Sequence, residues 1–285
     1  MIDLAAALAV RPVVLDGGLG TLLAERGNDV STSLWSARVL RDDPDEVRAA
    51  HAEFVTAGAE VLITASYQLG FGGPLPDADV ESLIRRSVTV ARDAADVVVA
   101  ASVGPIGALR ADGSEYTGDY GLDVAGLRAA HRRRLEVIAD AGADLLAVET
   151  IASPAEAEAL ALELSALGVP AFVSLSGDST GFAADGAIGE ALRALASVPS
   201  VVAVGVNCCA PDHVVPALAQ APAEAALVAY PNSGEVWDAA TRTWRGGAAP
   251  LAAVAPEWVA AGARLVGGCC RSTPADIAAI AAALR

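Results

Sequence analysis

The sequence predicts an α/β chain folded as a single-domain (β/α)8 TIM barrel over residues 1–285. Three observations carry this expectation. Short runs rich in Val, Leu and Ala recur at 12–16, 60–64, 97–103, 144–149, 171–176, 201–207, 225–230 and 264–268. They are near-continuous rather than alternating, as strands of a parallel sheet covered on both faces are. Helical patterns lie between and after these runs. A short repeat also recurs where helices end: Ala57-Gly58-Ala59-Glu60, Ala141-Gly142-Ala143-Asp144 and Ala261-Gly262-Ala263-Arg264. Glycine there suits the left-handed residue that closes a helix before the next strand. Eight strand–helix units at this length fit a closed barrel better than an open sheet.

The elements follow in order. Asp3 caps a short N-terminal helix; its early acid, the lack of a basic flank and the short apolar run exclude a signal peptide. The first strand, 12–16, opens a long loop at 17–43, and a helix follows at 44–57. The second strand leads through a loop at 66–79 to a helix at 80–95. The third leads through 104–123 to a helix at 124–141. After the fourth, Ser153 caps a helix at 154–167, with Pro154, Glu156 and Glu158 in its first turn. Loop 177–186 and helix 187–196 follow the fifth strand, and helix 213–220 the sixth. Loop 231–249 and helix 251–261 follow the seventh. Thr273 then caps the last helix, 274–284, with Pro274 and Asp276 behind it. The longer loops all follow strands, on the face where barrels build their sites.

Composition narrows the function. At 54% hydrophobic the chain can bury a large core, and its formal charge of -16 with pI near 4.5 argues against nucleic-acid and anionic-membrane partners. No run is long enough to span a bilayer. Four cysteines without a secretory signal point to reduced, cytoplasmic thiols rather than a disulfide framework.

Those cysteines are the most informative residues. Cys208 ends the sixth strand, and Gly267-Gly268-Cys269-Cys270-Arg271 ends the eighth. Adjacent residues of a regular strand point to opposite faces, so two neighbouring cysteines share a metal only if the chain bends. Gly267-Gly268 permits that bend. The plainer reading is two small buried hydrophobes. Cys208 at a nearby strand mouth favours a metal site of three thiols with one open position, and zinc suits such soft donors. Cys209 faces away and packs.

Asp16 ends the first strand and Glu149 the fourth. Acids at barrel strand ends either hold a substrate ammonium or close a structural ion pair, and position alone does not choose. Gly17-Gly18-Leu19-Gly20 lacks the third glycine of a dinucleotide fingerprint at the right spacing, and Asp16 would repel a phosphate. His51 and His131 lie within helices and His213 opens one, so ion pairs or exposure are expected of them rather than ligation. Arg132-Arg133-Arg134 reads as a solvated helix face.

The chain resembles the zinc-dependent homocysteine S-methyltransferase family. The matching stretches are Leu15-Asp16-Gly17-Gly18, Ser33-Leu34-Trp35-Ser36, Ile63-Thr64-Ala65-Ser66-Tyr67-Gln68, Ser102-Val103-Gly104-Pro105, Asp112-Gly113-Ser114-Glu115-Tyr116, Val148-Glu149-Thr150, Gly205-Val206-Asn207-Cys208, Tyr230-Pro231-Asn232-Ser233-Gly234 and Gly267-Gly268-Cys269-Cys270. They run from the first strand to the last. The resemblance implies a barrel, zinc on Cys208, Cys269 and Cys270, and methionine as product. It implies that Asp16 and Glu149 bind the amino group of homocysteine, with Thr64 near its carboxylate and Gly17 and Asn207 in the same substrate-binding set. The zinc-bound thiolate then takes a methyl group placed in line with it.

The donor is expected to be a sulfonium, S-methylmethionine or S-adenosylmethionine, with the former preferred. Cobalamin and folate branches of the family carry extra domains and the betaine branch a C-terminal extension, and none is expected here. Aromatic faces and acids suit a sulfonium cation. Trp35, Tyr67, Tyr116, Tyr120, Glu115 and Asp119 lie in loops able to supply them, and Ser233 joins this set. Two other readings remain: a non-catalytic barrel with a structural zinc, and a methyltransferase acting on selenocysteine or another thiol.

Overall fold

The apolar runs carry no polar face because they form one parallel sheet that curls on itself under a ring of helices. The computed structural model describes residues 2–73, 75–110, 112–177, 187–238 and 243–285. It begins with α1 (Leu4–Val10), β1 (Val13–Val14), α2 (Leu19–Glu25), α3 (Ser36–Asp42), α4 (Pro44–Thr56) and β2 (Val61–Ile63). Next come α5 (Asp77–Ala94), β3 (Val98–Val103), α6 (Ile106–Arg110), a 3-10 turn at Ser114–Tyr116, α7 (Val124–Ala139) and β4 (Leu145–Ile151). Then follow α8 (Pro154–Leu167), β5 (Ala171–Leu175), α9 (Ala187–Ala196), β6 (Val201–Asn207), a 3-10 turn at Pro211–His213 and α10 (Val214–Leu218). The chain ends with β7 (Leu227–Tyr230), β8 (Val236–Asp238), β9 (Thr243–Arg245), α11 (Leu251–Ala260), β10 (Ala263–Val266) and α12 (Pro274–Ala283).

The eight barrel strands pair in the order β1-β10-β7-β6-β5-β4-β3-β2, each neighbour parallel. A bridge between Leu15 and Val61 closes the ring. There Glu60 N donates to Val14 O at 2.8 Å and Asp16 N to Val61 O at 3.1 Å. All eight predicted strands are present, within a few residues of their expected bounds. Gly58, Gly142 and Gly262 sit at φ of 108°, 85° and 107°, the left-handed closure that the repeat implied. Asp3, Ser153 and Thr273 cap their helices as expected, Thr273 within a full capping box.

Period-two alternation sorts the strand side chains into two layers. Val13, Leu15, Val61, Ala100, Leu145, Ala147, Phe172, Ala203, Val228 and Leu265 belong to the inner cluster, joined by Ala7 and Leu8 of α1. Val14, Leu62, Val99, Leu146, Val148, Val173, Val204, Ala229 and Val266 belong to the larger cluster shared with the helices. Continuing the inner alternation toward the strand C-termini brings Ser102, Glu149, Ser174, Asn207 and Tyr230, all buried. The inside of the barrel therefore turns polar at its mouth.

Some expectations are corrected. The loops after β1, β3 and β7 contain α2 and α3, α6, and the antiparallel pair β8–β9. These pieces are too short to impose a readable period. Arg132 and Arg133 are exposed and paired with Glu163 and Asp77, but Arg134 is fully buried, because it turns toward the barrel from the same helix. His51 is also fully buried, with neither ring nitrogen hydrogen-bonded. The predicted loop 177–186 lies outside the described residues from 178 onward. Among the described residues, no helix is long and apolar enough to cross a membrane.

Candidate metal and substrate site

Three thiols meet at the barrel mouth. Cys208 Sγ lies 2.7 Å from Cys269 Sγ and 3.9 Å from Cys270 Sγ, and all three lie within 4.8 Å of one another. The bend foreseen for the vicinal pair is real. β10 ends at Val266, and a side chain at Gly267 would meet Asp16 O at 2.7 Å, so only glycine passes there. The turn beyond is fastened by Cys269 N to Pro231 O at 2.8 Å and Cys270 N to Asn232 Oδ1 at 3.1 Å. Cys208 itself sits at φ 49°, which swings its side chain out of the strand's alternation. Cys209 is buried in the outer core, and burial pushes its thiol up to about 12.

The charges of the trio conflict. Hydrogen bonds from Cys208 and Cys269 hold Cys270 well below the ordinary thiol range, while the bond to Cys269 pushes Cys208 well above it. Three thiols this close could all ionise only with a cation between them. Soft donors converging from two strand ends fit a thiophilic divalent ion.

Two acids stand beside the thiols. Asp16 Oδ2 accepts from Ile63 N at 2.8 Å. Glu149 accepts from Ser102 Oγ and, at 3.2 Å, from Tyr230 Oη. Burial pushes both carboxyls up, Glu149 to about 8, and each feels further negative charge nearby. Neither has a basic partner within ion-pair distance among the described residues, so both lack the structural ion pair that position alone allowed. A carboxyl held in this state takes up negative charge when a cation arrives.

Beneath them runs a buried hydrogen-bond chain. Tyr230 Oη stands 2.6 Å from Ser174 Oγ, which donates to Asn207 Oδ1 at 2.8 Å. Asn207 Nδ2 donates to Thr150 Oγ1 at 2.9 Å and lies 4.0 Å from Cys269 Sγ. Asn207 thus braces the site from below and does not line the cavity. The sequence alone assigns no role to Ser102, Ser174 or Tyr230. Their signal is the period-two continuation from Ala100, Phe172 and Val228.

The cavity above has a volume of about 750 Å3, counting the space at its mouth, and its lining includes Asp16, Gly17, Thr64, Glu149 and the three thiols. Trp35, Tyr67, Glu115 and Tyr116 complete its wall. Its described lining contains three acids, Asp16, Glu115 and Glu149, and no Lys, Arg or His. Glu115 Oε2 is buried with no partner, and burial raises this carboxyl above its ordinary range. The Thr64 hydroxyl is already shared by Ser66 Oγ at 2.8 Å and Ser102 N at 3.0 Å. Trp35 sits at φ 45° with its indole against Gly20, where a side chain would meet the ring at 2.7 Å. Of the four described non-glycine residues with positive φ, Trp35, Thr150 and Cys208 line the cavity, and Arg271 follows Cys270. Strained backbone of this kind gathers where side chains must be aimed.

Three expected donor-pocket residues lie elsewhere. Tyr120 is buried behind the wall with Ile106 and Leu127, under Arg110 at 5.5 Å. Asp119 is absent from the lining. Ser233 secures the cysteine turn instead: its N donates to Cys270 O at 3.0 Å, and its hydroxyl to Glu235, which grips Arg271.

A family model described as Homocysteine S-methyltransferase matches residues 13–284. The chain is 44% identical over 292 residues to a homocysteine S-methyltransferase of Escherichia coli (strain K12), covering 95% of this chain and 94% of that protein. It is 36% identical over 311 residues to a selenocysteine methyltransferase of Astragalus bisulcatus, covering 95% and 92%. It superposes on the metallated form of the homocysteine methyltransferase MmuM from Escherichia coli with a TM-score of 0.83 and 41% identity, covering 95% of this chain and 96% of that one.

Proposed function

The chain belongs to the homocysteine S-methyltransferase family, and on that premise we propose that it makes methionine from homocysteine and a sulfonium donor, with zinc on Cys208, Cys269 and Cys270. The observation that carries this reading is the meeting of three thiols and two unpaired buried acids in one cavity.

Bound there, zinc supplies the Lewis acidity that keeps an acceptor thiol ionised at neutral pH, where a free thiol of pKa ~8.5 is only a few per cent ionised. The protein's own groups do the rest. Asp16 and Glu149 receive the substrate ammonium, and Ser102 and Tyr230 keep Glu149 aimed at it. Gly17 and Thr64 line the path of the amino-acid end, and Asn207 holds the floor rigid. This fixes where the acceptor sulfur lies.

The remaining wall takes the donor. Trp35, Tyr67 and Tyr116 offer aromatic faces to a sulfonium, and Glu115 offers a carboxyl oxygen, Oε2, that has no hydrogen-bond partner. S-methylmethionine and S-adenosylmethionine each carry a net positive charge, which an acid-lined cavity favours. Betaine carries none. Holding the methyl carbon in line with the acceptor sulfur supplies much of the rate. We place the enzyme in the cytoplasm, where its thiols stay reduced.

The deciding experiment offers S-methylmethionine, S-adenosylmethionine, betaine and methyl-folate separately with homocysteine and measures methionine formed. S-methylmethionine should give the highest kcat/KM, and comparable turnover of betaine overturns the sulfonium reading. The similarity to a selenocysteine methyltransferase favours a second acceptor. Competition between homocysteine and selenocysteine at equal concentration ranks the two.

A further inference from the structure

A set of buried polar and ionisable residues lies behind the donor wall, apart from the thiols, with only Arg134 close enough to Glu149 to lower its carboxyl. His131 and Arg134 of α7 and Glu156 of α8 are fully buried, and Tyr120 nearly so. Glu156 Oε1 accepts from Ile106 N at 2.8 Å and stands 2.8 Å from His131 Nε2. Arg134 Nη2 donates to Tyr67 O at 3.3 Å. Burying such groups is costly unless they are hydrogen-bonded, and the bonds they make here hold neighbouring backbone in place.

What they fix is the wall. Ile106 opens the short helix α6. The next residue, Gly107, packs so closely on the backbone of Ser114 and Glu115 that no side chain fits between them. Glu156 therefore positions Glu115 and Tyr116 through Ile106 and Gly107. The far end of the same loop returns through Gly118, which rests on Ala152 and Ser153, the residues that lead into α8. Arg134 supports Tyr67 from behind. Three of the four donor-wall side chains named above thus hang from one buried cluster.

We propose that Glu156 is the positioning residue of the donor wall: through its reach to Ile106 N it sets where Glu115 and Tyr116 stand relative to the thiols, and so governs donor capture without touching donor or acceptor. This rests on the reading that Trp35, Tyr67, Glu115 and Tyr116 form the donor side.

Two substitutions separate reach from charge. Glu156→Gln keeps an acceptor oxygen at the same distance and loses the charge. Glu156→Asp keeps the charge and falls short of Ile106 N. Because misplacement by about 1 Å can cost on the order of a hundredfold, Glu156→Asp should raise the KM for S-methylmethionine about tenfold or more. Methionine affinity and metal content should stay within about twofold, and Glu156→Gln should return the donor KM to within about threefold of the parent. The proposal is overturned if Glu156→Asp leaves donor KM unchanged, if it weakens donor and methionine binding alike, or if Gln is no better than Asp. Should Glu156→Asp not fold, Gly107→Ala forces apart the same link between Ile106 and Glu115, and an unchanged donor KM there overturns the proposal as well. Glu115→Gln tests the underlying reading. If its donor KM is normal, the donor wall is misassigned and the role of Glu156 goes with it; if it is raised while Glu156→Asp is normal, the role of Glu156 alone is lost.

Discussion

Tyr230 Oη donates to Glu149 Oε2 at 3.2 Å, joining the ends of β7 and β4 across the barrel mouth. The phenol favours the charged form of a carboxyl that burial pushes up to about 8. Tyr230→Phe removes one hydrogen bond to a charged group, worth about 1.5–3 kcal/mol. Homocysteine affinity should fall about tenfold or more. Calorimetric titration checks it, with metal content as control; unchanged affinity reduces Tyr230 to a packing residue.

The same carboxyl sets a pH dependence. Below about 8 Glu149 is mostly neutral in the free protein, so an arriving ammonium must drive its ionisation. Methionine, which carries the amino-acid end without a thiol, should bind more tightly as pH climbs toward about 8 and level off beyond. Glu149→Gln should weaken binding and flatten the profile. The stability effect has the opposite sign. A carboxyl raised from its ordinary 4.5 contributes stability fully present below that value and lost as pH rises through about 8. Thermal melts of the ligand-free protein across that window should show a smaller alkaline loss in Glu149→Gln.

Replacing Cys208, Cys269 or Cys270 by Ser should strip most metal and all methyl transfer. Cys209→Ser should keep both, since its thiol sits in the outer core. Metal analysis of the four variants decides the ligand set. Full metal retention in the Cys269 or Cys270 variant would remove that residue from it.

A side chain at Gly205 would collide with the backbone carbonyl of Val228 on the paired strand. Gly205→Ala should therefore wedge β6 from β7 and cost about 1–3 kcal/mol. The thermal midpoint should drop by several degrees. An unchanged midpoint would mean that the barrel accommodates the methyl there.

The barrel was legible because strands buried on both faces leave unbroken apolar runs, and glycines at 58, 142 and 262 mark where helices close. The thiols and acids were legible because strand ends share one mouth. What the sequence hid depends on side-chain direction. Arg132, Arg133 and Arg134 look equivalent in line, yet only Arg134 turns inward. Tyr116 and Tyr120 lie four residues apart in one loop, and only Tyr116 reaches the cavity. Asn207 precedes Cys208, but strand alternation points it at Ser174 and Thr150 rather than into the cavity.

Acids are the only charged side chains in the described lining of the cavity, and that gives turnover a direction. A sulfonium that surrenders its methyl becomes a neutral thioether. On the donor side proposed above, the attraction that Glu115 and the aromatic faces exert would end with that transfer, because the charge they recognise is gone. Spent donor would then leave as a consequence of the reaction itself, and a fresh cation would outcompete it for the vacated wall. The disappearance of one charge would be the exit signal.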